Sequence, residues 1–140
     1  MAYGIEALHD KNIMHRDISP GNILFDDSWT VKICDFGFCK PDNDTTQSTG
    51  VGTPAFRDPK IQAGKYSKKC DIFSAGLIMD YIFRGEALLR NGTEEENKKQ
   101  YIHFLHNKAQ LIQSVDSPDE LKKLILKCIE SEEMGRVSAS

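Results

Sequence analysis

One segment, from Ser67 to about Phe83, constrains the fold of this 140-residue chain more than any other. Ser67 can cap the start of a helix there, and Gly85 lies just past its end. The large apolar residues of the segment would cover nearly all faces of that helix: Ile72, Phe73, Leu77, Ile78, Met79, Tyr81, Ile82 and Phe83. A helix that is apolar on every side has to be buried. We therefore predict a mainly helical fold built around it.

Two further helices are predicted after the central one by their start signals. Thr93, followed by Glu96, forms a capping box that opens a polar surface helix. Ser117, Pro118 and Glu120 combine a cap, a proline at the first helical position and a returning glutamate. From the central helix onward we expect the chain to be helical to its end.

The first part of the chain has a different pattern. Two short apolar runs, at 23–25 and 31–34, flank the turn residues 26–28 and predict a small β-hairpin. Residues 38–60 are polar and turn-forming, which predicts a loop of functional length. The fold class is therefore α+β, mainly helical with a small hairpin region.

Composition argues against several classes of protein. A net charge of -3 without a basic cluster gives no footprint for nucleic acid or for anionic membranes. The longest apolar stretch, 77–83, contains Asp80 and is too short to span a bilayer. The N-terminus has no secretory pattern, and the four cysteines form no CxxC pair. We expect a cytoplasmic protein with no nucleic-acid or membrane partner; the oligomeric state stays open.

The candidate catalytic and metal-binding residues lie just before and just after the predicted hairpin. Residues 15–22 fit the pattern H-R-D-x-x-x-x-N, and residues 35–37 read D-F-G, 18 residues after Asp17. Asp17 suits a carboxylate that accepts the proton of a substrate hydroxyl. Asn22 and Asp35 lie at opposite ends of the hairpin, so their side-chain oxygens can converge on one Mg²⁺, a cation that prefers oxygen ligands.

By the order and spacing of these two motifs, the chain resembles the protein kinases, from the middle of their C-terminal lobe (C-lobe) nearly to its end. The resemblance implies ATP-dependent phosphoryl transfer to serine or threonine of a protein substrate, with ATP and Mg²⁺ as cofactors. It implies catalytic roles for Asp17, Asn22 and Asp35, and Mg²⁺ binding by Asn22 and Asp35. ATP would contact Asn22, Asp35 and Leu24, with Leu24 as the floor under adenine.

Further residues match the same family. Residues 52–56 resemble the segment that receives substrate next to the phosphoacceptor, and Thr53 is typical of Ser/Thr-specific kinases. Asp71 resembles the residue whose carboxylate holds the catalytic-loop backbone. By the same resemblance, His15 and Phe36 stack in a hydrophobic column.

Several positions depart from the family pattern. Ser19 stands where Ser/Thr kinases have a lysine that touches the transferred phosphate. Arg136 matches an arginine that pairs with the glutamate of Ala-Pro-Glu, but residues 58–60 read Asp-Pro-Lys. Lys60 would then face Arg136 as a like charge, and our hypothesis is that Asp58 pairs with Arg136 instead.

No Gly-rich loop and no V-A-I-K lysine precede the catalytic loop within these 140 residues. We therefore expect residues 1–140 to form a partial kinase domain, a C-lobe without the N-terminal lobe (N-lobe) that closes over ATP. The isolated chain is expected to bind ATP weakly and to turn over little or nothing.

The loop at 38–60 also carries four candidate phosphorylation sites: Thr45, Thr46, Ser48 and Thr49. A phosphate on one of them could pair with Arg16 and order the loop. A merely polar, flexible loop is the alternative.

A different class of function is a pseudokinase or truncated kinase fragment that acts as a protein-binding module. Ser19, Lys60 and the missing N-lobe favour it. The retained carboxylates Asp17 and Asp35 argue against it, because a pure scaffold has no use for them.

A third possibility is a small-molecule kinase of the aminoglycoside or choline type. Its catalytic loop reads H-G-D-x-x-P-G-N, which residues 19–22 resemble. Arg16 in place of glycine, the D-F-G motif and the Gly-Thr-Pro run at 52–54 favour the protein kinases.

Overall fold

The computed structural model describes residues 1–44, 46 and 48–139 and has a mainly helical fold. The helices are α1 (Ala2–His9), α2 (Pro59–Gln62), α3 (Lys69–Arg84), α4 (Glu94–Gln113) and α5 (Asp119–Cys128). The strands are β1 (Ile13–Met14), β2 (Ile23–Phe25), β3 (Val31–Ile33) and β4 (Lys40–Pro41). Short 3₁₀ turns lie at Pro20–Asn22, Phe36–Phe38, Pro54–Phe56 and Glu133–Gly135. The predicted α+β class is confirmed. In this described part, no helix combines the length and apolar character needed to cross a bilayer.

Helix α3 is the predicted central helix. Ten of its 16 residues are buried, which confirms that it lies in the core. Helix α5 packs closely on it, because a Cβ added at Gly76 would lie 2.7 Å from the Cβ of Cys128. Gly85 ends α3 with a φ of +81°, as its position predicts. Only the last turn departs from the expectation, since Ile82 and Phe83 are exposed.

Two antiparallel strand pairs support the loops between α1 and α2. The β2–β3 hairpin, with Ile23 opposite Ile33, confirms the predicted hairpin. Asp26 shapes its turn by accepting hydrogen bonds from the amides of Ser28 and Thr30, each at 2.9 Å. The second pair, β1 with β4, was not predicted, because strands of two residues leave no periodic pattern.

The helix-start predictions have mixed outcomes. The capping box at Thr93 is confirmed: the Glu96 amide donates to Thr93 Oγ1, and the Thr93 amide donates to Glu96 Oε2 at 2.8 Å. The cap at Ser117 is wrong, since its buried hydroxyl has no hydrogen-bond partner within the described ranges. Helical structure to the end of the chain is also wrong. After Cys128 the described residues contain only the turn Glu133–Gly135.

Candidate active site

Residues 15–22, the candidate catalytic loop (called the catalytic loop below), are held by a buried carboxylate from α3. Asp71 is 1% exposed and accepts hydrogen bonds from the amides of His15 (2.9 Å) and Arg16 (2.8 Å). This confirms the prediction that Asp71 holds the catalytic-loop backbone. His9 was missed: its Nε2 lies 2.9 Å from Asp71 Oδ2. No local pattern could reveal that contact, because the two residues are 62 positions apart.

Two residues beside the candidate catalytic groups have left-handed backbones. Arg16 has a φ of +67° and Asp35 a φ of +61°. Side chains other than glycine rarely adopt this conformation, and such strain persists only where the surroundings enforce it. Arg16 is fixed by donating from Nε to Phe38 O (2.6 Å) and from Nη1 to Tyr66 Oη (2.8 Å). The first contact ties the catalytic loop to the turn that follows Asp35, and the second ties it to the connection between α2 and α3.

Asp17 is held on both carboxylate oxygens. Its Oδ1 accepts from the amide and the hydroxyl of Thr53, each at 2.7 Å. Its Oδ2 accepts from Asn22 Nδ2 at 2.8 Å. The structure thus brings together two of the candidate site residues, Asp17 and Asn22. It adds Thr53, which the sequence singled out for its residue type but not for this contact.

The approach of the Thr53 segment to the catalytic loop depends on the glycine before it. Gly52 has a φ of +87°. A Cβ at this position would lie 2.4 Å from the carbonyl oxygen of Arg16. Glycine therefore lets the two backbones come close enough for Thr53 to reach Asp17.

Asn22 and Asp35 lie at the open end of the β2–β3 hairpin. The amide of Cys34 donates to Asn22 O at 3.0 Å, so Asp35 is one residue past the position opposite Asn22. Asp35 Oδ1 accepts from the Gly37 amide at 3.2 Å. Within the part of the chain described, Asn22 Oδ1 and Asp35 Oδ2 accept no hydrogen bond. Oxygens of this kind suit a hard divalent cation.

The residue expected under adenine is accessible. Leu24 is 52% exposed on β2. Phe36 stands edge-on to His15 with ring centroids 5.4 Å apart, which confirms the predicted stacking of these two residues. An exposed apolar side chain beside Asn22 fits a flat, apolar ligand surface such as a purine.

The segment after Thr53 is anchored to the C-terminal part of the chain by a buried ion pair. Arg136 Nη1 contacts Asp58 Oδ2, and both side chains are fully buried. The Arg136 guanidinium also lies over the Phe73 ring, 4.9 Å from its centroid. Burial raises the pKa of Asp58, and Arg136 opposes that rise. The hypothesis that Asp58 is the partner of Arg136 is confirmed.

Lys60 does not face Arg136, so that prediction is wrong. Its Nζ lies 3.6 Å from Glu132 Oε2, and the Glu132 side chain is exposed. The physical reason is the start of α2: Asp58 caps it by accepting from the Lys60 amide at 2.9 Å. The cap faces the core, whereas the Lys60 side chain is half-buried and reaches the exposed Glu132.

An open cavity of about 580 Å³ lies beside Asp17, between the catalytic loop and the end of α3. Its walls include Ser19, Asn22, Thr53, Phe56, Tyr81 and Leu89. Phe56 and Tyr81 meet edge to face at 5.6 Å. Ser19 places a neutral hydroxyl at this point of the wall, where the kinases that the chain resembles have a lysine.

The candidate phosphorylation sites differ in their surroundings. Thr45 lies outside the described residues, and the other three sites are exposed. Thr46 Oγ1 donates to Asp44 at 2.6 Å, and Tyr66 Oη donates to Ser48 O at 3.0 Å. Tyr66 also bonds Arg16, so Ser48 is already linked to the guanidinium that would receive a phosphate.

Comparisons with known proteins agree on one family. The model of the protein kinase domain matches residues 1–140. A candidate serine/threonine-protein kinase/receptor of Acanthamoeba polyphaga mimivirus is 41% identical over 130 residues, and a dual serine/threonine and tyrosine protein kinase of Xenopus laevis is 36% identical over 99 residues.

These matches cover 91% and 71% of the present chain, but the chain spans only 8% and 11% of those relatives. Among solved structures, the yeast RNA Pol II CTD kinase CTDK-1 complex matches with a TM-score of 0.85 at 22% identity. That match covers 99% of this chain and 56% of the other. At this identity the structural likeness concerns the fold alone.

Proposed function

The chain belongs to the protein kinase family, and we propose that it forms the C-lobe of a kinase that transfers the γ-phosphoryl group of ATP to serine or threonine of protein substrates. One observation carries the proposal: Asp17 is held on one oxygen by Thr53 and on the other by Asn22. A carboxylate fixed in this way, at the edge of an open cavity, is prepared to orient a hydroxyl group.

Phosphoryl transfer asks the protein mainly for positioning and for charge stabilisation. Asp17 would accept the hydrogen bond of the substrate hydroxyl and then its proton. Thr53 and Asn22 hold the carboxylate so that it does not have to reorganise during the reaction.

Mg²⁺ would be held by Asn22 and Asp35, and when bound it neutralises charge on the triphosphate. The donor set fits, because each residue has a side-chain oxygen that accepts no hydrogen bond from the described residues. Leu24 would lie under adenine, where its exposed side chain offers an apolar surface. These are assignments for the residues of this chain; the rest of an ATP site would come from an upper lobe.

The choice of serine or threonine as acceptor rests on Thr53 and on the serine/threonine kinases among the relatives. Ser19 favours a second function, a protein-binding module that no longer transfers phosphate, because it removes a cation from the cavity wall. The protein kinase matches support neither aminoglycosides nor choline as substrates.

The test uses the native protein, captured with an antibody raised to residues 91–115. Captured protein should phosphorylate serine or threonine peptides with Mg²⁺ and ATP, and Asp17→Asn or Asp35→Asn expressed in the same cells should lower the rate at least a hundredfold. Lys127→Ala, an exposed change on α5, serves as the control. The recombinant 140-residue chain alone should be nearly inactive. Wild-type protein no more active than Asp17→Asn would favour the binding module.

A further inference from the structure

Arg57 carries a half-buried positive charge beside the candidate active site, and the proposed reaction does not use it. It directly follows the turn Pro54–Phe56. Its Nη1 donates to Val51 O at 3.3 Å, and this is the one hydrogen bond that its side chain forms with the described residues. A guanidinium has five N–H donors, so most of its capacity is unused.

Two carboxylates lie near Arg57 without pairing with it. Burial lowers the pKa of Arg57, while Asp17 and Glu94 both raise it. Neither carboxylate forms an ion pair with it, and the Glu94 side chain instead accepts from Gln62 Nε2 at 3.2 Å. Its contact with Val51 O places the guanidinium beside the segment whose Thr53 contacts Asp17. Asp17 is close enough to interact with Arg57 but forms no ion pair with it.

The neighbouring ion pair fixes the direction of this side chain. Asp58 points into the core toward Arg136. Arg57 has an extended backbone, with φ -82° and ψ 137°. Successive side chains of an extended segment point to opposite sides, so Arg57 points away from the core. Thr53, which contacts Asp17, flanks the turn Pro54–Phe56 on the other side.

We propose that Arg57 forms a subsite for an acidic side chain of the protein substrate, one or two residues from the hydroxyl that receives phosphate. This inference rests on the proposed function, because it takes Asp17 to mark the position of the acceptor hydroxyl. An extended peptide advances about 3.3 Å per residue, so a cation near Asp17 but beyond ion-pair distance is at the reach of a neighbouring residue. A carboxylate there can accept two parallel hydrogen bonds from the guanidinium.

Glu94 provides a second test, in which a substitution should strengthen the binding of acidic peptides instead of weakening it. Its exposed carboxylate interacts with Arg57 from the first turn of α4 and would compete with an acidic substrate side chain. Removing its charge as Glu94→Gln should therefore strengthen the binding of acidic peptides. A general loss of structure at this site could not produce that result.

The experiment measures peptide binding to the 140-residue chain by fluorescence anisotropy, which needs no phosphoryl transfer. The peptides contain one acceptor serine and a single glutamate, which is placed in turn at each position from two residues before the serine to two residues after it. For each peptide, a matched control has glutamine in place of the glutamate. At one position the glutamate peptide should bind about fivefold more tightly than its glutamine control. Arg57→Ala should remove this ratio without weakening the glutamine peptide, and Arg57→Lys should keep part of it. Glu94→Gln should raise the ratio, and Lys127→Ala should leave it unchanged.

A glutamate preference that survives Arg57→Ala, or no preference at any position, overturns the subsite and leaves the proposed function standing. If no peptide binds the wild-type chain, although circular dichroism shows that it is folded, both the inference and the peptide-binding role within the proposed function are contradicted.

Discussion

The catalytic loop and the segment after Thr53 are both irregular, and each is anchored by one buried aspartate, but the two anchors differ in kind. Asp71 is held by two backbone amides of the loop itself and by His9. Asp58 accepts one amide hydrogen bond, from Lys60 in its own segment, and is paired with a guanidinium from the far end of the chain. The first arrangement fixes the backbone conformation of a loop, whereas the second fixes where a segment lies relative to another part of the molecule.

The difference has an energetic side. Amide hydrogen bonds to a carboxylate distribute its charge over several neutral partners, and the loss of one leaves the others in place. Asp58 also accepts from the Lys60 amide, but Arg136 is its one cation, so the loss of Arg136 leaves an uncompensated charge in the core. The Asp58 anchor should therefore be the more sensitive of the two.

The largest expected effect is on the ion pair. Arg136→Met should lower the free energy of unfolding by about 3–5 kcal/mol, because it leaves Asp58 buried without a cation. Urea denaturation followed by circular dichroism measures the change. Arg90→Met, which removes an exposed arginine, is the matched control and should cost less than about 0.5 kcal/mol. Equal losses in the two variants would mean that the buried pair has no special weight.

The amide-held anchor should be less costly to disturb. Asp71→Asn keeps one acceptor oxygen and loses the other, so we expect a loss of about 1–3 kcal/mol. Hydrogen exchange should report where the loss falls, with faster exchange at the His15 and Arg16 amides than elsewhere in the core. Unchanged protection of these two amides would contradict the anchoring role.

The Asp58 anchor should also depend on pH. Because burial raises the pKa of Asp58 in the folded protein above its unfolded value, folding favours the protonated carboxyl. Its contribution to stability is largest below the unfolded pKa and falls as pH rises through the folded pKa. The Asp58→Asn variant has no titratable side chain at this position. The melting temperature of this variant should therefore rise relative to that of the wild type as the pH increases from about 4 to about 7. A constant difference over this range would mean that the pKa of Asp58 is not raised.

The smallest expected effect is that of Lys60, and it tests whether this lysine faces Arg136. Lys60 pairs with an exposed glutamate, so Lys60→Ala should change stability by less than about 0.5 kcal/mol. Had Lys60 faced Arg136 as a like charge, its removal would be clearly stabilising. Thermal melts of Lys60→Ala and wild type measure this directly.

The parts of the fold that sequence predicted are those with short-range signals. The apolar character of α3 identified a core helix, and the capping box at Thr93 formed as expected because its two residues are three positions apart. The same reasoning failed at Ser117, where α5 begins at Asp119 and leaves the hydroxyl buried without a partner among the residues described.

In the candidate site, the motif spacing identified Asn22 and Asp35 as a converging pair at opposite ends of the hairpin, whereas the structure places both residues at its open end. It did not indicate His9, whose contact with Asp71 depends on how α1 packs on α3. It also left open whether Asp58 or Lys60 faces Arg136. These residues are only two positions apart, and the orientation of α2 decides which of them points toward the core. Long-range packing accounts for both.

Gly52 has a mechanical consequence for the molecule. With a Cβ position only 2.4 Å from Arg16 O, the two backbones touch with no side chain between them. Residues 52–53 therefore cannot move toward the catalytic loop without displacing it, because no side chain lies between the two backbones that could change rotamer. A pull in the other direction strains the two hydrogen bonds that Thr53 gives to Asp17. The position of residues 52–53 is therefore mechanically coupled to that of Asp17.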